Sequence, residues 1–297
     1  MIRIIDLITA AILPISAGSP ALELDGRAVL RSDTESFGGL SAIEITEDGD
    51  RFVAVSDRGQ WWMGEITREN GRITAARPTE RTAIRTSRNM PVPPVHSDAE
   101  GMARLPSGEF FLSFEGNHRI SSFAAPGDRA TLIPRDDPIR RLQQNSGFEA
   151  LFNDADGVVY AIPERSGQLD RPFPIHRWKD GAWSRPYSVP REGEFLVTGA
   201  DLGPDNKLFV LERDVGLLGF RSRIRMFDFD PETGPTNAVT LIETTMGQLD
   251  NMEGISAWAD EDGNTRLTLI SDDNFFPLQR TEIVEFILRD PPPSDPE

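Results

Sequence analysis

Cysteine is absent from this 297-residue chain, and histidine occurs only three times. The absence of cysteine excludes disulfides, thiol nucleophiles, iron–sulfur clusters and Cys-ligated zinc. The scarcity of histidine argues against a histidine-rich metal site. Lysine occurs only as Lys179 and Lys207, so arginine carries nearly all of the positive charge. Our first explanation for this usage is codon bias, and the alternative is selection for forked anion binding by arginine.

The charge balance also excludes classes of partner. Lys and Arg together number 31 against 48 Asp and Glu, a net charge of −17 with a sequence pI near 4.7. A phosphate backbone or an anionic membrane surface would be repelled overall. We therefore expect no nucleic-acid partner.

The chain has no long uninterrupted apolar run. Residues 1–22, MIRIIDLITAAILPISAGSPAL, resemble a secretory signal peptide, with Arg3 before an apolar stretch and small residues at its end. Asp6 and Pro14 interrupt the stretch, which is too short to span a bilayer. We expect a signal peptide over 1–21 and a periplasmic or secreted protein, with a cytoplasmic protein as the alternative. The Pro-rich acidic tail 290–297 is predicted to be disordered.

One pattern recurs five times. Each copy has a strand start, an acidic or Gly turn, a strongly β-prone run, an acidic stop and a further strand. The copies begin at Gly38, Glu100, Glu149, Thr198 and Glu253. Third strands are predicted, for example, at Arg119–Phe123 and Arg223–Phe229. Four antiparallel strands at this period are typical of a β-propeller blade.

The fold class that follows is an all-β propeller over residues 22–289, in a single domain of four-stranded blades. We count five blades; six is the alternative, because the Pro-rich stretch Met90–Val95 leaves room for an irregular one. The fifth copy lacks its outer strand, and residues 22–31, LELDGRAVLR, form an orphan strand. We expect this strand to complete the last blade, which removes an exposed sheet edge.

Two sets of residues are expected at one mouth of the central channel. In each blade the first and second strands are antiparallel, so the start of the first strand and the end of the second lie at the same end of the propeller. Strand starts place Glu100, Glu149 and Glu253 in equivalent positions, with Thr198 and Gly38 in the other blades. The second strands end at Asp57, Glu115, Glu164, Glu212 and Asp272. Arg58, Arg165 and Arg213 follow in three blades, and Asn117 and Asn274 in the other two.

Three glutamates around one axis repel each other unless they are protonated, paired or bridged by a cation. We predict a divalent cation, Ca²⁺ first, held by Glu100, Glu149 and Glu253. The alternative is a ring of salt bridges to the three arginines, without a metal. The arginines and Asn117 and Asn274 are the candidate substrate-binding residues, although each arginine could simply neutralise its neighbouring carboxylate. His96, in a loop at the same mouth, is a candidate general base.

The repeated EGM, EGI and LSAI strand starts, with SDRG, LERD and SDDNF after the second strands, resemble a bacterial family described as having an esterase-like activity of phytase. The resemblance runs from about Phe37 to Leu288. It implies an exported phytase-like β-propeller that hydrolyses phosphate or carboxylic esters. The strand-start glutamates are also similar to single-metal propeller lactonases, in which a carboxylate handles the proton. Asp57 and Glu212 are our candidates for that role.

The sequence thus predicts an exported, cation-assisted hydrolase acting on a small anionic ester or phosphoester. The near absence of lysine argues against a hexaphosphate substrate. The alternative is a non-catalytic periplasmic propeller that binds an envelope component, a peptide or a sugar. Fold analogy does not choose between these functions.

Overall fold

Short runs of β-branched and aromatic residues form the strands, and Asp and Gly residues form the turns between them. A computed structural model describes residues 20–34, 36–115, 117–135, 147–217 and 219–290. The predicted signal peptide up to residue 19 and the tail after residue 290 lie outside these residues. At the turn after the strand Leu40–Ile45, Gly49 adopts φ +73°, a left-handed conformation that other residues rarely adopt.

Within the described residues, twenty strands form five four-stranded antiparallel sheets. Blade 1 contains β2 (Leu40–Ile45), β3 (Arg51–Ser56), β4 (Gln60–Glu69) and β5 (Arg72–Ala83). Blade 2 contains β6 (Ala99–Arg104), β7 (Phe110–Phe114), β8 (Arg119–Phe123) and β9 (Thr131–Leu132). Blade 3 contains β10 (Phe148–Asn153), β11 (Val159–Pro163), β12 (Phe173–Lys179) and β13 (Ala182–Val189). Blade 4 contains β14 (Leu196–Gly203), β15 (Lys207–Gly216), β16 (Gly219–Asp230) and β17 (Gly234–Glu243). Blade 5 contains β18 (Met252–Ala259), β19 (Thr265–Ser271), β20 (Glu282–Arg289) and the N-terminal β1 (Ala21–Val29).

The fold is a five-bladed β-propeller, as the repeats predict. The stretch Met90–Val95 belongs to the connection between β5 and β6, where Pro94–His96 forms a 3-10 turn, and not to a sixth blade. A second such turn covers Pro204–Asn206. The part of the chain that the structure describes contains no helix with the length and apolar character needed to cross a bilayer.

The apolar cores lie between neighbouring blades. Five buried clusters form, each of them joining residues of two adjacent sheets. Between blades 3 and 4, for example, Phe152 stacks on Tyr160 at 4.8 Å, and both rings meet the ring of Phe229 edge-on. Burial of these faces provides the main stabilisation of the ring of blades.

The N-terminal strand closes the propeller, which confirms the prediction for LELDGRAVLR. β1 pairs antiparallel with β20 from Ala21↔Arg289 to Val29↔Glu282. A buried ion network supports this closure: Arg266 contacts Asp25 of β1 at 2.7 Å and Glu285 of β20 at 2.8 Å. Arg68 of blade 1 contacts the same Glu285 at 2.6 Å. The network therefore joins the two ends of the chain to the first blade.

Candidate functional site

Each innermost strand contains a register shift close to its start. The side chains at these shifts lie where the five strands converge on the channel. The residues are Ser41, Glu100, Glu149, Thr198 and Glu253. A β-bulge leaves its extra residue outside the ladder and re-aims its side chain. The equivalent position in blade 1 is thus Ser41; the expected Gly38 lies before the strand begins.

Small residues follow the bulges and let the inner strands approach closely. They are Ala42, Gly101, Ala150, Gly199 and Gly254. A Cβ on Gly254 would lie 2.8 Å from Cα of Ala42, and a Cβ on Gly199 would lie 2.8 Å from the Glu253 carbonyl. Beneath the bulges the space shrinks to about 10 Å³. The site is therefore a blind cavity at one end of the channel.

The second strands supply an outer ring. In four blades it consists of Asp57, Glu115, Glu164 and Asp272. In blade 4 the corresponding residue is Arg213, because Val197 pairs with Glu212 just as Phe148 pairs with Pro163 in blade 3. The sequence alignment of the repeats is therefore wrong by one residue in blade 4.

Glu212 lies apart from the cavity lining, so its position does not support the expected catalytic role. Successive residues of a strand face opposite sides, and Glu212 is fully buried on the side away from Arg213. It accepts hydrogen bonds from Arg225 at 2.6 and 2.8 Å and from Arg223 at 2.8 Å. Such a buried ion pair is a structural element of blade 4.

The cavity encloses about 430 Å³ and is strongly acidic. Eight carboxylates line it together with two arginines, Arg165 and Arg213. The carboxylates are Asp57, Asp98, Glu100, Glu115, Glu149, Glu164, Glu253 and Asp272. Ser41 and Asn274 complete the lining. Full ionisation would leave a large excess of negative charge in a space of this size.

Burial and mutual repulsion raise the pKa of most of these carboxyls. For Glu100 and Glu149 burial is the larger cause, the neighbouring carboxylates are the next, and the pKa rises well above its usual value. Burial likewise raises the pKa of Asp57 to about 6 and that of Asp272 to about 7. Protons or a cation therefore stabilise this cavity near neutral pH.

Arg213 neutralises one side of the cavity. Its guanidinium donates to Asn251 Oδ1 at 2.6 Å and to Glu253, and lies 3.8 Å from Glu164. Burial opposes its charge, but Glu253, Glu149 and Glu164 outweigh that effect and raise its pKa. Glu253 is thus engaged by Arg213, one of the three arginines of the salt-bridge alternative. Arg165 contacts its own neighbour Glu164 at 2.8 Å and is half exposed.

The opposite side carries a group of carboxylates that are candidate cation ligands. Asp98, Glu100 and Glu115 each present an oxygen within 4.8 Å of the others. Oxygen atoms around one Ca²⁺ at 2.3–2.6 Å lie at most about 5 Å apart, so this spacing fits a single hard cation. Of the three predicted ligands, only Glu100 belongs to this group. Asp98, in the loop before β6, was not predicted, although its D-x-E spacing to Glu100 offers a signal.

A family model described as phytase-like, esterase-like activity of phytase, matches residues 35–275. The chain belongs to this family. None of the curated protein sequences compared with this phytase-like chain is significantly similar to it.

Among solved structures, the phytase-like chain is similar to an α-L-arabinofuranosidase from Podospora anserina in complex with cellotriose. The TM-score is 0.50 at 10% identity, covering 91% of this chain and 98% of the other. It is also similar to the PQQ-bound aldose sugar dehydrogenase from Streptomyces coelicolor, with TM-score 0.48, 10% identity and coverages of 92% and 99%. At such identities the similarity describes the fold alone.

Besides Glu212, three predicted site residues of this phytase-like propeller lie outside the cavity lining. His96 is exposed on its 3-10 turn, and its carbonyl accepts a hydrogen bond from Arg119 at 2.6 Å. Asn117 is exposed and accepts from Arg135 at 2.9 Å. Arg58 is exposed and packs its guanidinium on the ring of Phe275. Asp57, Arg165, Arg213 and Asn274 do line the cavity.

Proposed function

We propose that this protein is an exported hydrolase that cleaves an ester or phosphoester in the acidic cavity with the help of a divalent cation, Ca²⁺ first. The observation that supports the proposal is the group Asp98, Glu100 and Glu115, whose oxygens lie within 4.8 Å of one another in a cavity of eight carboxylates. The family description, esterase-like activity of phytase, supports the reaction class.

A bound cation would make an anionic substrate compatible with this cavity. Eight carboxylates against two arginines would repel a phosphoester at neutral pH. Asp98, Glu100 and Glu115 would hold a hard cation, which would offset that charge and supply Lewis-acid polarisation of a carbonyl or phosphoryl oxygen. The ligand set revises the predicted one, because Glu253 is engaged by Arg213.

The chain's own residues supply proton transfer. Asp57 has a pKa of about 6 and accepts a proton from the attacking water as a carboxylate. Asp272, with a pKa of about 7, retains its proton in part of the population and donates it to the leaving oxygen. The water oxygen bonds to carbon or phosphorus while the bond to the leaving oxygen breaks. The two carboxyls thus divide the base and acid roles.

Arg213 and Arg165 orient the anionic part of the substrate. Both guanidinium groups line the cavity, and a guanidinium offers forked contacts to a phosphate or carboxylate. The amide of Asn274 lies at the same rim. His96, Glu212, Asn117 and Arg58 have no part in this scheme.

The experiment compares wild type, Glu115→Gln and the matched control Glu80→Gln, an exposed position on β5. Each protein is treated with EDTA and melted with and without Ca²⁺, Mg²⁺ or Mn²⁺. A cation at a hundredfold excess over Kd stabilises by about 2.7 kcal/mol, or about 5 °C or more in Tm. We expect this shift in wild type and Glu80→Gln and a much smaller shift in Glu115→Gln.

The same proteins are assayed with p-nitrophenyl acetate and p-nitrophenyl phosphate. Cation-dependent turnover that falls in Glu115→Gln supports the hydrolase. Cation binding without turnover of either ester would replace it with the non-catalytic binding propeller. An unchanged Tm with all three cations would overturn the cation site itself.

A further inference from the structure

The exposed apolar side chains of this propeller are concentrated on one face. Within the described residues, eleven large apolar side chains are exposed. Eight of them lie at the end of the propeller where the cavity opens. Val215 is near the end of β15, and the other seven lie in segments that connect second to third strands or lead into the innermost strands: Met90, Val95, Leu169, Leu217, Met246, Phe276 and Leu278. Isolated exposed apolar residues are normal, and a group of them on one face makes that face a candidate binding surface.

A hairpin of blade 4 is the most prominent part of this surface. β15 and β16 continue to pair beyond the cavity, from Arg213↔Ser222 to Gly216↔Gly219. In blade 1 the corresponding pairing ends at Ser56↔Gln60, next to the cavity. At about 3.3 Å per residue, Leu217 lies about 13 Å along the chain from Arg213. Leu217 is fully exposed, and Val215 is 59% exposed.

Contacts at its base hold the hairpin in place. Arg221 of β16 contacts Asp214 of β15 at 2.7 Å and Glu243 of β17 at 3.1 Å. The side chain of Met246 covers Gly216, where a Cβ would lie 2.5 Å from the Met246 Cε. The hairpin is thus a supported projection that starts at a cavity residue, Arg213, and carries no charged residue between 215 and 220.

We infer that Val215 and Leu217 of this hairpin bind the apolar acyl or alkyl part of the substrate while the ester group enters the cavity. The substrate class is then an amphiphilic ester, hydrolysed by water as described above. The inference rests on the proposed function. Binding sites commonly combine an apolar surface with a few polar groups that orient the ligand, and Arg213 joins the two parts here. The net charge of −17 disfavours an anionic lipid surface as the occupant.

The test measures kcat/KM for p-nitrophenyl esters of 2, 4, 8 and 12 carbons, each below its micelle concentration. Wild type is compared with the double variant Val215→Ser/Leu217→Ser and with Leu132→Ser, an exposed control on β9. We expect kcat/KM to rise with chain length in wild type and the control, by up to about fourfold per buried methylene. In the double variant the rise disappears, while the rate on the acetate stays unchanged.

Other outcomes separate the two proposals. A chain-length profile that is the same in wild type and the double variant overturns the hairpin's role while leaving the hydrolase intact. If no ester is cleaved, the hydrolase fails, and calorimetry with octylphosphonate and methylphosphonate tests the hairpin directly. Equal affinity for the two phosphonates overturns the inference. Binding to phosphatidylcholine vesicles that is lost in the double variant would assign the hairpin to a lipid surface instead and overturn the soluble substrate.

Discussion

Asp272→Asn should stabilise the cation-free protein at neutral pH, although it removes a charged residue from the cavity. Asp272 follows β19 and lines the cavity. Burial, together with the charges of Glu253, Asp57 and Asp273, raises its pKa to about 7, even though the backbone N–H of Asn274 favours the carboxylate. The folded protein therefore holds this proton more tightly than the unfolded chain does.

The sign of the pH effect follows from this difference. Because the folded pKa exceeds the unfolded one, the free energy of unfolding falls as pH rises from about 4 to about 7. A rise from 3.8 to about 7 is about 3 pKa units, or about 4 kcal/mol at most. At about 2 °C per kcal/mol for a chain of this size, the wild-type Tm should fall by up to about 8 °C through this group alone.

Asparagine removes the titration and keeps the acceptor. Its side-chain oxygen can still receive the N–H of residue 274, which lies 2.7 Å from the Asp272 oxygen in the wild-type protein. Melting in EDTA from pH 4.5 to 8 should show similar Tm values for wild type and Asp272→Asn at the acidic end. At pH 8 the variant should melt several degrees higher. Asp262→Asn, exposed in the β18–β19 turn, should follow wild type throughout.

Parallel pH curves for wild type and Asp272→Asn would refute the reasoning, because they would mean that Asp272 ionises in the folded protein as easily as in water. Added Ca²⁺ should reduce the difference between the two proteins at pH 8, since a bound cation stabilises nearby carboxylates.

Two further predictions concern ion pairs away from the cavity. Glu212→Gln should cost about 3–5 kcal/mol in urea unfolding, because it leaves the buried Arg223 and Arg225 without their carboxylate; a loss below 1 kcal/mol would mean that blade 4 relaxes around them. Asp25→Asn should cost about 1–3 kcal/mol by weakening the contact of β1 with Arg266, and unfolding as stable as wild type would assign the closure to strand pairing alone.

The blades were predictable because their signals are local. A strand is recognisable in the sequence when about six residues with β-branched and aromatic side chains are bounded by Asp-Gly turns. Arg119–Phe123 was predicted with its observed bounds. The outer strand of blade 5 was predictable from the number of strands in each repeat, because the fifth repeat has only three and residues 22–31 form a strand outside any repeat. The extended hairpin of blade 4 was missed in part: Arg223–Phe229 was predicted, and β16 begins at Gly219.

The site was harder to predict because side-chain direction alternates with every residue. In the motif LERD both Glu212 and Arg213 carry useful chemistry, and a one-residue offset decides which of them faces the cavity. The bulges set that offset, and they depend on how neighbouring inner strands pack. In blade 1 the expected Gly38 and the observed Ser41 differ by three residues, because the strand begins only at Leu40 and its bulge follows directly. Asp98 lies outside the repeated strands, so a search restricted to strand ends does not find it.

The charge distribution of the cavity is asymmetric, and blade 4 causes this asymmetry. Where three other blades contribute glutamate at the bulge, blade 4 contributes Thr198, and where the others contribute an outer carboxylate it contributes Arg213. Asp98, Glu100 and Glu115 all come from blade 2. On the proposed function, the reacting oxygen therefore lies towards blade 2 and the remainder of the substrate towards blade 4. The apolar hairpin rises from blade 4 as well, so the charge asymmetry of the cavity and the apolar surface above it orient a substrate in the same direction.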